Sequence, residues 1–197
     1  GSIRRPQVYD GAGLTRYLSN AYHFLPCYSV LHVAPVGRFF NSGPTQLTRL
    51  ISTAGAGSYA NVGDSSFGYR DYGSSVMYSS GKVLLVGGHD PPTATAEVID
   101  LNAATPEWRA VQSMSLPRRQ LNATALADGS VLVTGGTQLP GFNSSDGPVL
   151  SAERWDPATE QWSTLSSMQV PRMYHSVGLM LADGRVLCAG GVEPPDG

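Results

Sequence analysis

The sequence predicts an all-β chain, a partial β-propeller of about three four-stranded antiparallel blades followed by a half blade. Three observations predict it. The chain has 23 glycines and 14 prolines in 197 residues and only 14% charged residues, the profile of turn-rich β structure rather than a helical bundle. A segment type recurs: Arg70 to Gly88, Arg118 to Gly136 and Arg172 to Gly191 each run from arginine through two apolar strands to Gly-Gly. The second glycine falls at 88, 136 and 191, spacings of 48 and 55, a period that marks stacked repeat units. Finally, a Trp-bearing strand closes the unit, at Trp108 and again at Trp162.

Each element follows from local chemistry. The first strand of a unit ends in a turn at Gly37, Gly81, Gly129 or Gly184, where a positive φ is needed and only glycine meets no Cβ penalty. A second strand of β-branched and apolar residues follows, as in Val131-Leu-Val-Thr134. Gly-Gly then permits close backbone packing near an axis. A third strand comes next, Ala96 to Asp100 or Ala152 to Asp156, and the tryptophan strand is the fourth. A weaker early copy, Leu31 to Pro44, carries Gly43-Pro44 in place of Gly-Gly. Units of this length with Gly-Gly and a late tryptophan are of the kelch type. The blades are expected near 28–68, 69–116 and 117–170, with a half blade over 171–197, all in one partial propeller domain, 1–197. Residues 1–27 are expected to give a strand to a preceding blade. The loop 137–149 is long enough to be functional. A partial propeller leaves apolar faces and strand edges open. The chain is therefore expected to be part of something larger, its ends covered by missing blades or by another copy.

Composition excludes several function classes. The net charge of −2 gives no electrostatic basis for nucleic acid or an anionic membrane. No apolar run approaches the roughly 20 residues of a membrane span. No secretion signal is visible, which says nothing about export, since a mature chain has lost it. Cys27 and Cys188 form neither a disulfide framework nor a zinc spacing, and stand as two separate thiols or as one disulfide. Asn122 and Asn143 match the glycosylation acceptor by pattern only. Asp128-Gly129 and Asp183-Gly184 are turn chemistry, not a pair of catalytic carboxylates. His23, His32 and His89 lack ligand spacing and are expected at the surface or in turns; His89, after Gly-Gly, faces a blade mouth. Arg70 either braces a blade edge or contacts a substrate hydroxyl.

The candidate site is Tyr174-His175, a phenol beside an imidazole. Adjacent strand residues point to opposite faces, so both reach one metal only where the chain leaves the regular strand, at a blade mouth. Pro171-Arg-Met-Tyr-His-Ser176, an apolar run and Ala182-Asp-Gly-Arg-Val186 resemble the signature of the copper radical oxidases, the galactose oxidase and glyoxal oxidase group. Asn122 to Gly136, Ala152 to Trp162, Ser75 to Tyr78 and Gly81 to Leu85 resemble that family's two preceding blades, so the likeness covers about 28–191. The loop around Phe142 and Leu150 resembles its pocket-lining loop.

The resemblance implies a seven-bladed kelch-type parent followed by an immunoglobulin-like domain, with copper held by two tyrosines and two histidines. It makes Tyr174 the axial tyrosine and catalytic base, and makes Tyr174 and His175 copper ligands. The Cys-Tyr cross-link and the second histidine fall outside this chain. The implied function is a secreted, extracellular oxidase that converts a primary alcohol or aldehyde with O₂, giving H₂O₂, on a carbohydrate or small alcohol or aldehyde substrate. This chain alone is expected to bind copper poorly and to be inactive. The alternative is a non-catalytic kelch module that binds a protein or glycan through its loop face.

Overall fold

The computed structural model describes residues 5–9, 11–13, 15–142, 144 and 146–191. Asn143 and residues 192–197 of the expected half blade lie outside them. The structure is all-β, as the sequence predicts. An N-terminal hairpin of β1 (Gln7–Tyr9) and β2 (Thr15–Tyr17) comes first, where a single strand was expected. Three four-stranded antiparallel sheets follow. The first holds β3 (Val30–Ala34), β4 (Arg38–Gly43), β5 (Leu47–Ser52) and β6 (Ser58–Asp64). The second holds β7 (Ser74–Ser79), β8 (Lys82–Val86), β9 (Ala96–Asp100) and β10 (Arg109–Val111). The third holds β11 (Arg119–Ala125), β12 (Val131–Thr137), β13 (Ser151–Asp156) and β14 (Gln161–Ser167). The last described sheet has two strands, β15 (Ser176–Met180) and β16 (Val186–Gly190). Within each four-stranded sheet, strands pair in sequence order, the up-and-down meander of a propeller blade. The first strands of successive blades lie side by side, β7 against β11 and β11 against β15.

The core lies between blades, and strand β8 shows why. Val83 and Leu85 pack with Phe40, Ile99 and Trp108 toward the first blade. Leu84 and Val86 pack with Val98, Leu121, Val133 and Trp155 toward the third. A strand buried on both faces reads as a continuous apolar run rather than an alternation. On the last sheet, Val177, Leu179 and Leu187 remain 46–57% exposed.

Buried ion pairs join the second blade to the first and the third to the second. Arg70 donates to Glu97 from Nε at 3.0 Å and from Nη2 at 2.8 Å, and Glu97 Oε2 accepts the Ser66 N–H at the end of the first blade. Arg118 Nη2 donates to Glu153 at 2.5 Å, and Glu153 Oε2 accepts the Ser115 N–H of the second blade at 2.8 Å. Arg70 is 2% exposed, so its role is to brace the blade, not to touch a substrate. Gly-Gly serves the close approach expected of it. A Cβ on Gly135 would stand 2.1 Å from the Arg172 carbonyl oxygen.

Candidate functional site at the blade mouths

The site is built on an unusual backbone conformation. Tyr28 (φ 61°), Tyr72 (φ 53°), Gln120 (φ 58°) and His175 (φ 63°) are left-handed. Few residues other than glycine adopt that region, at roughly 1–2 kcal/mol each, and such strain gathers at functional sites. The four positions are equivalent. Tyr28 precedes Pro44, Tyr72 precedes Gly88, Gln120 precedes Gly136 and His175 precedes Gly191 by the same 16 residues. One left-handed station therefore opens the first strand of each blade. It breaks the strand alternation and turns a side chain toward the mouth.

Tyr174 is an additional residue at this place. The arginine stands two residues before the station in Arg70 to Tyr72 and in Arg118 to Gln120, but three before it in Arg172 to His175. Tyr174 and His175 form a turn before β15, and their rings stack, with centroids 3.8 Å apart and planes at 24°. The adjacent pair thus escapes the opposite-face rule, in the way a blade mouth allows.

Aromatic rings surround the pair. Tyr174 lies 4.7 Å from Phe142, 5.7 Å from Tyr72 and 6.3 Å from Tyr28, centroid to centroid. The Tyr28 and Tyr174 hydroxyls share a hydrogen bond of 2.6 Å. That bond is the main reason the Tyr174 phenol is pushed up to about 12, so the group is protonated at neutral pH. Burial, more than the nearby Tyr28 and Asp71, also raises the Tyr72 phenol. Phe142 reaches the cluster because its loop is fastened: Arg119 Nη1 donates to the Gly141 carbonyl at 2.9 Å, and Asp90 accepts the Gly141 N–H at 3.1 Å. Arg119 also pairs with Asp71 and Asp90 and lies under the Tyr72 ring, 4.9 Å from its centroid.

Beside the pair lies a depression of about 210 Å³ whose walls include Tyr28, Tyr72, Gln120, Met173, Tyr174 and His175. Larger hollows of about 560 and 600 Å³ lie beside Glu107 and Glu160 and beside the N-terminal hairpin. Neither touches the Tyr-His pair.

The other sequence candidates fall elsewhere. His32 sits within β3, half-buried, with Nε2 2.9 Å from Ser75 Oγ, so it is neither a turn residue nor a surface one. His89 is a turn residue near the mouth, its Nδ1 3.1 Å from the Tyr69 carbonyl oxygen. Cys27 and Cys188 are both free thiols. Asn122 donates to Ser176 Oγ at 2.8 Å. Sequence reasoning missed Tyr28, Tyr72 and Gln120. Counting 16 residues back from the second residue of each Gly-Gly, and of Gly43-Pro44, finds them.

Meander blades with a Gly-Gly-lined axis define a propeller of the kelch type. Residues 89–194, more than half of the chain, match the family described as glyoxal oxidase N-terminus. Galactose oxidase from Gibberella zeae is 30% identical over 171 residues, covering 79% of this chain and 25% of that protein. The aldehyde oxidase GLOX of Vitis pseudoreticulata is 30% identical over 144 residues, covering 62% of this chain and 27% of that protein. A fungal alcohol oxidase solved in complex with copper superposes with a TM-score of 0.83 at 25% identity, covering 94% of this chain and 43% of that one. The chain belongs to the glyoxal oxidase N-terminus family, within the copper radical oxidases. It spans about a quarter of the length of the galactose oxidase it matches.

Proposed function

We propose that this chain is the segment of a secreted copper radical oxidase that contributes Tyr174 and His175 to the copper, in a parent that oxidises a primary alcohol or aldehyde with O₂ and yields H₂O₂. The observation that carries the reading is the stacked Tyr174-His175 pair on a left-handed station, ringed by aromatic side chains, in a chain of this family. Phenol oxygen and imidazole nitrogen suit Cu(II). Among the described residues no group of three or more His, Cys, Asp or Glu could hold a metal, and the donors assigned to this chain are Tyr174 and His175. Copper, when bound, supplies the one-electron redox chemistry and weakens the hold of a bound phenol on its proton.

In this reading Tyr174 first gives up its own phenol proton to solvent and, as the phenolate, takes the proton of the substrate hydroxyl, while Tyr28 orients that oxygen through the 2.6 Å hydrogen bond. Phe142, Tyr72 and Tyr28 pack their rings around the Tyr174 ring and fix its position. His175 binds through a ring nitrogen. Two donors bind Cu(II) weakly, because the rest of the sphere supplies most of the affinity and geometry. The isolated chain is therefore inactive, and its exposed Val177, Leu179 and Leu187 are covered by further blades or by another copy.

The test uses the full-length protein. His175→Ala abolishes copper loading measured by metal analysis. Tyr174→Phe leaves copper bound and cuts turnover. Full peroxide production by the His175→Ala protein would end the oxidase reading. A full-length wild type that takes up no copper would leave the non-catalytic kelch module in its place.

A further inference from the structure

Gln120 occupies the third left-handed station, between Tyr72 and His175, and lines the same depression. It is 6% exposed, and both Nε2 and Oε1 are buried with no hydrogen-bond partner in the protein. Its backbone is not at fault, since its N–H donates to the Tyr72 carbonyl at 2.7 Å. A buried carboxamide without partners is destabilising, and a residue kept so at a pocket wall is explained by a ligand that completes it. The ligand's chemistry can be read from the wall. A carboxamide offers a donor and an acceptor side by side. A lone hydroxyl satisfies one of them, whereas a vicinal diol satisfies both, one oxygen accepting from Nε2 and the neighbouring O–H donating to Oε1. Among the described residues the lining holds no carboxylate, lysine or arginine to pair with a charged ligand, which favours a neutral one. The faces of Tyr28, Tyr72 and Tyr174 suit its C–H surface.

We propose that Gln120 is a specificity-determining residue of the mouth, whose carboxamide holds a vicinal diol of the substrate and so favours polyols over monohydric alcohols. This rests on the mouth being the substrate site of the proposed oxidase. The Gln120 side chain is not a metal donor and takes no part in proton transfer.

The experiment compares the full-length wild type with Gln120→Met, which keeps length and shape but has no amide. Glycerol and 1-propanol are the probes. Binding to the copper-free protein is followed by tyrosine fluorescence, and KM is measured on the copper-loaded protein. Wild type binds glycerol more tightly than 1-propanol. In Gln120→Met the Kd for glycerol rises about tenfold, the size of two modest neutral hydrogen bonds lost together, and the KM ratio of the two alcohols collapses toward one. The Tm of the copper-free variant rises by about 2 °C, because unpaired buried polar atoms are gone. A residue with a merely structural role gives the opposite sign. Gln120→Gly, which suits a φ of 58°, gives the same loss of discrimination if the methionine variant fails to fold. Equal glycerol affinity in wild type and variant, or a lowered Tm in Gln120→Met, overturns the proposal. Absence of turnover in the copper-loaded wild type, with glycerol binding still dependent on Gln120, overturns the oxidase reading and with it the role of Gln120 in substrate choice, leaving only its contact with the diol.

Discussion

Glu153→Gln isolates the interaction that joins the second and third blades. Arg118 and Glu153 have side chains with no exposed surface, and Arg118 Nε has no partner. The amide keeps the shape of the carboxylate and still accepts the Ser115 N–H. What it removes is the charge and the acceptor facing Arg118 Nη2. Arg118 is left with the Gly135 and Ser151 carbonyl oxygens, at 3.2 and 3.1 Å, to solvate a buried cation. Removing one member of a buried pair costs about 3–5 kcal/mol. The retained Ser115 contact puts the expected loss near the lower end, about 3 kcal/mol. With a urea slope of roughly 2 kcal/mol/M, the unfolding midpoint falls by about 1.5 M. The exposed pair Arg109–Glu160 supplies the control: Glu160→Gln changes stability by less than about 1 kcal/mol. Replacing both buried charges, Arg118→Met with Glu153→Leu, recovers most of the loss and leaves the Ser115 N–H without its acceptor. Equal midpoint shifts for Glu153→Gln and Glu160→Gln would refute the assignment of the buried pair as the joint between blades.

Two further outcomes are expected. Burial holds the His32 imidazole down to about 4, while the unfolded chain takes its proton near 6.5. The unfolded state therefore binds more protons between those values, so stability is full above about pH 6.5 and falls as the pH drops toward about 4. The contribution is on the order of 3 kcal/mol, and His32→Gln flattens it in urea titrations; an unchanged pH slope in that variant would exclude His32 as the cause. Gly135→Ala should cost more than about 2 kcal/mol, since its Cβ meets the Arg172 carbonyl oxygen at 2.1 Å, whereas Gly129→Ala, with open space around it, bears only the left-handed penalty of about 1 kcal/mol. Thermal melts that rank the two alike would show that close approach at Gly135 is not what selects glycine.

The fold was legible because its demands fall on residues that few others can replace. The second glycine of each pair, the turn glycine and the doubly buried run Val83 to Val86 all leave marks in composition or spacing. Tyr174-His175 was legible for a similar reason, through a dense local motif. The left-handed stations were not, because a positive φ at tyrosine or glutamine is imposed by neighbours and written in no residue type. The joints between blades were hidden too. Glu97 and Glu153 look like ordinary strand carboxylates, and only their arginine partners, 27 and 35 residues upstream, explain their burial. Phe142 reaches Tyr174 through Arg119 and Asp90, which local pattern does not connect to it.

The stations divide labour between backbone and side chain. Each stands 16 residues before the end of a Gly-Gly pair, or of Gly43-Pro44 in the first blade, whatever residue type occupies it. Tyrosine, tyrosine, glutamine and histidine occupy four copies of the same mount in this chain. A new reactivity can therefore be fitted by one substitution at a mount already in place, with the blade behind it undisturbed. The repeat works as a tool rest: the scaffold is copied whole, and the chemistry is exchanged one bit at a time.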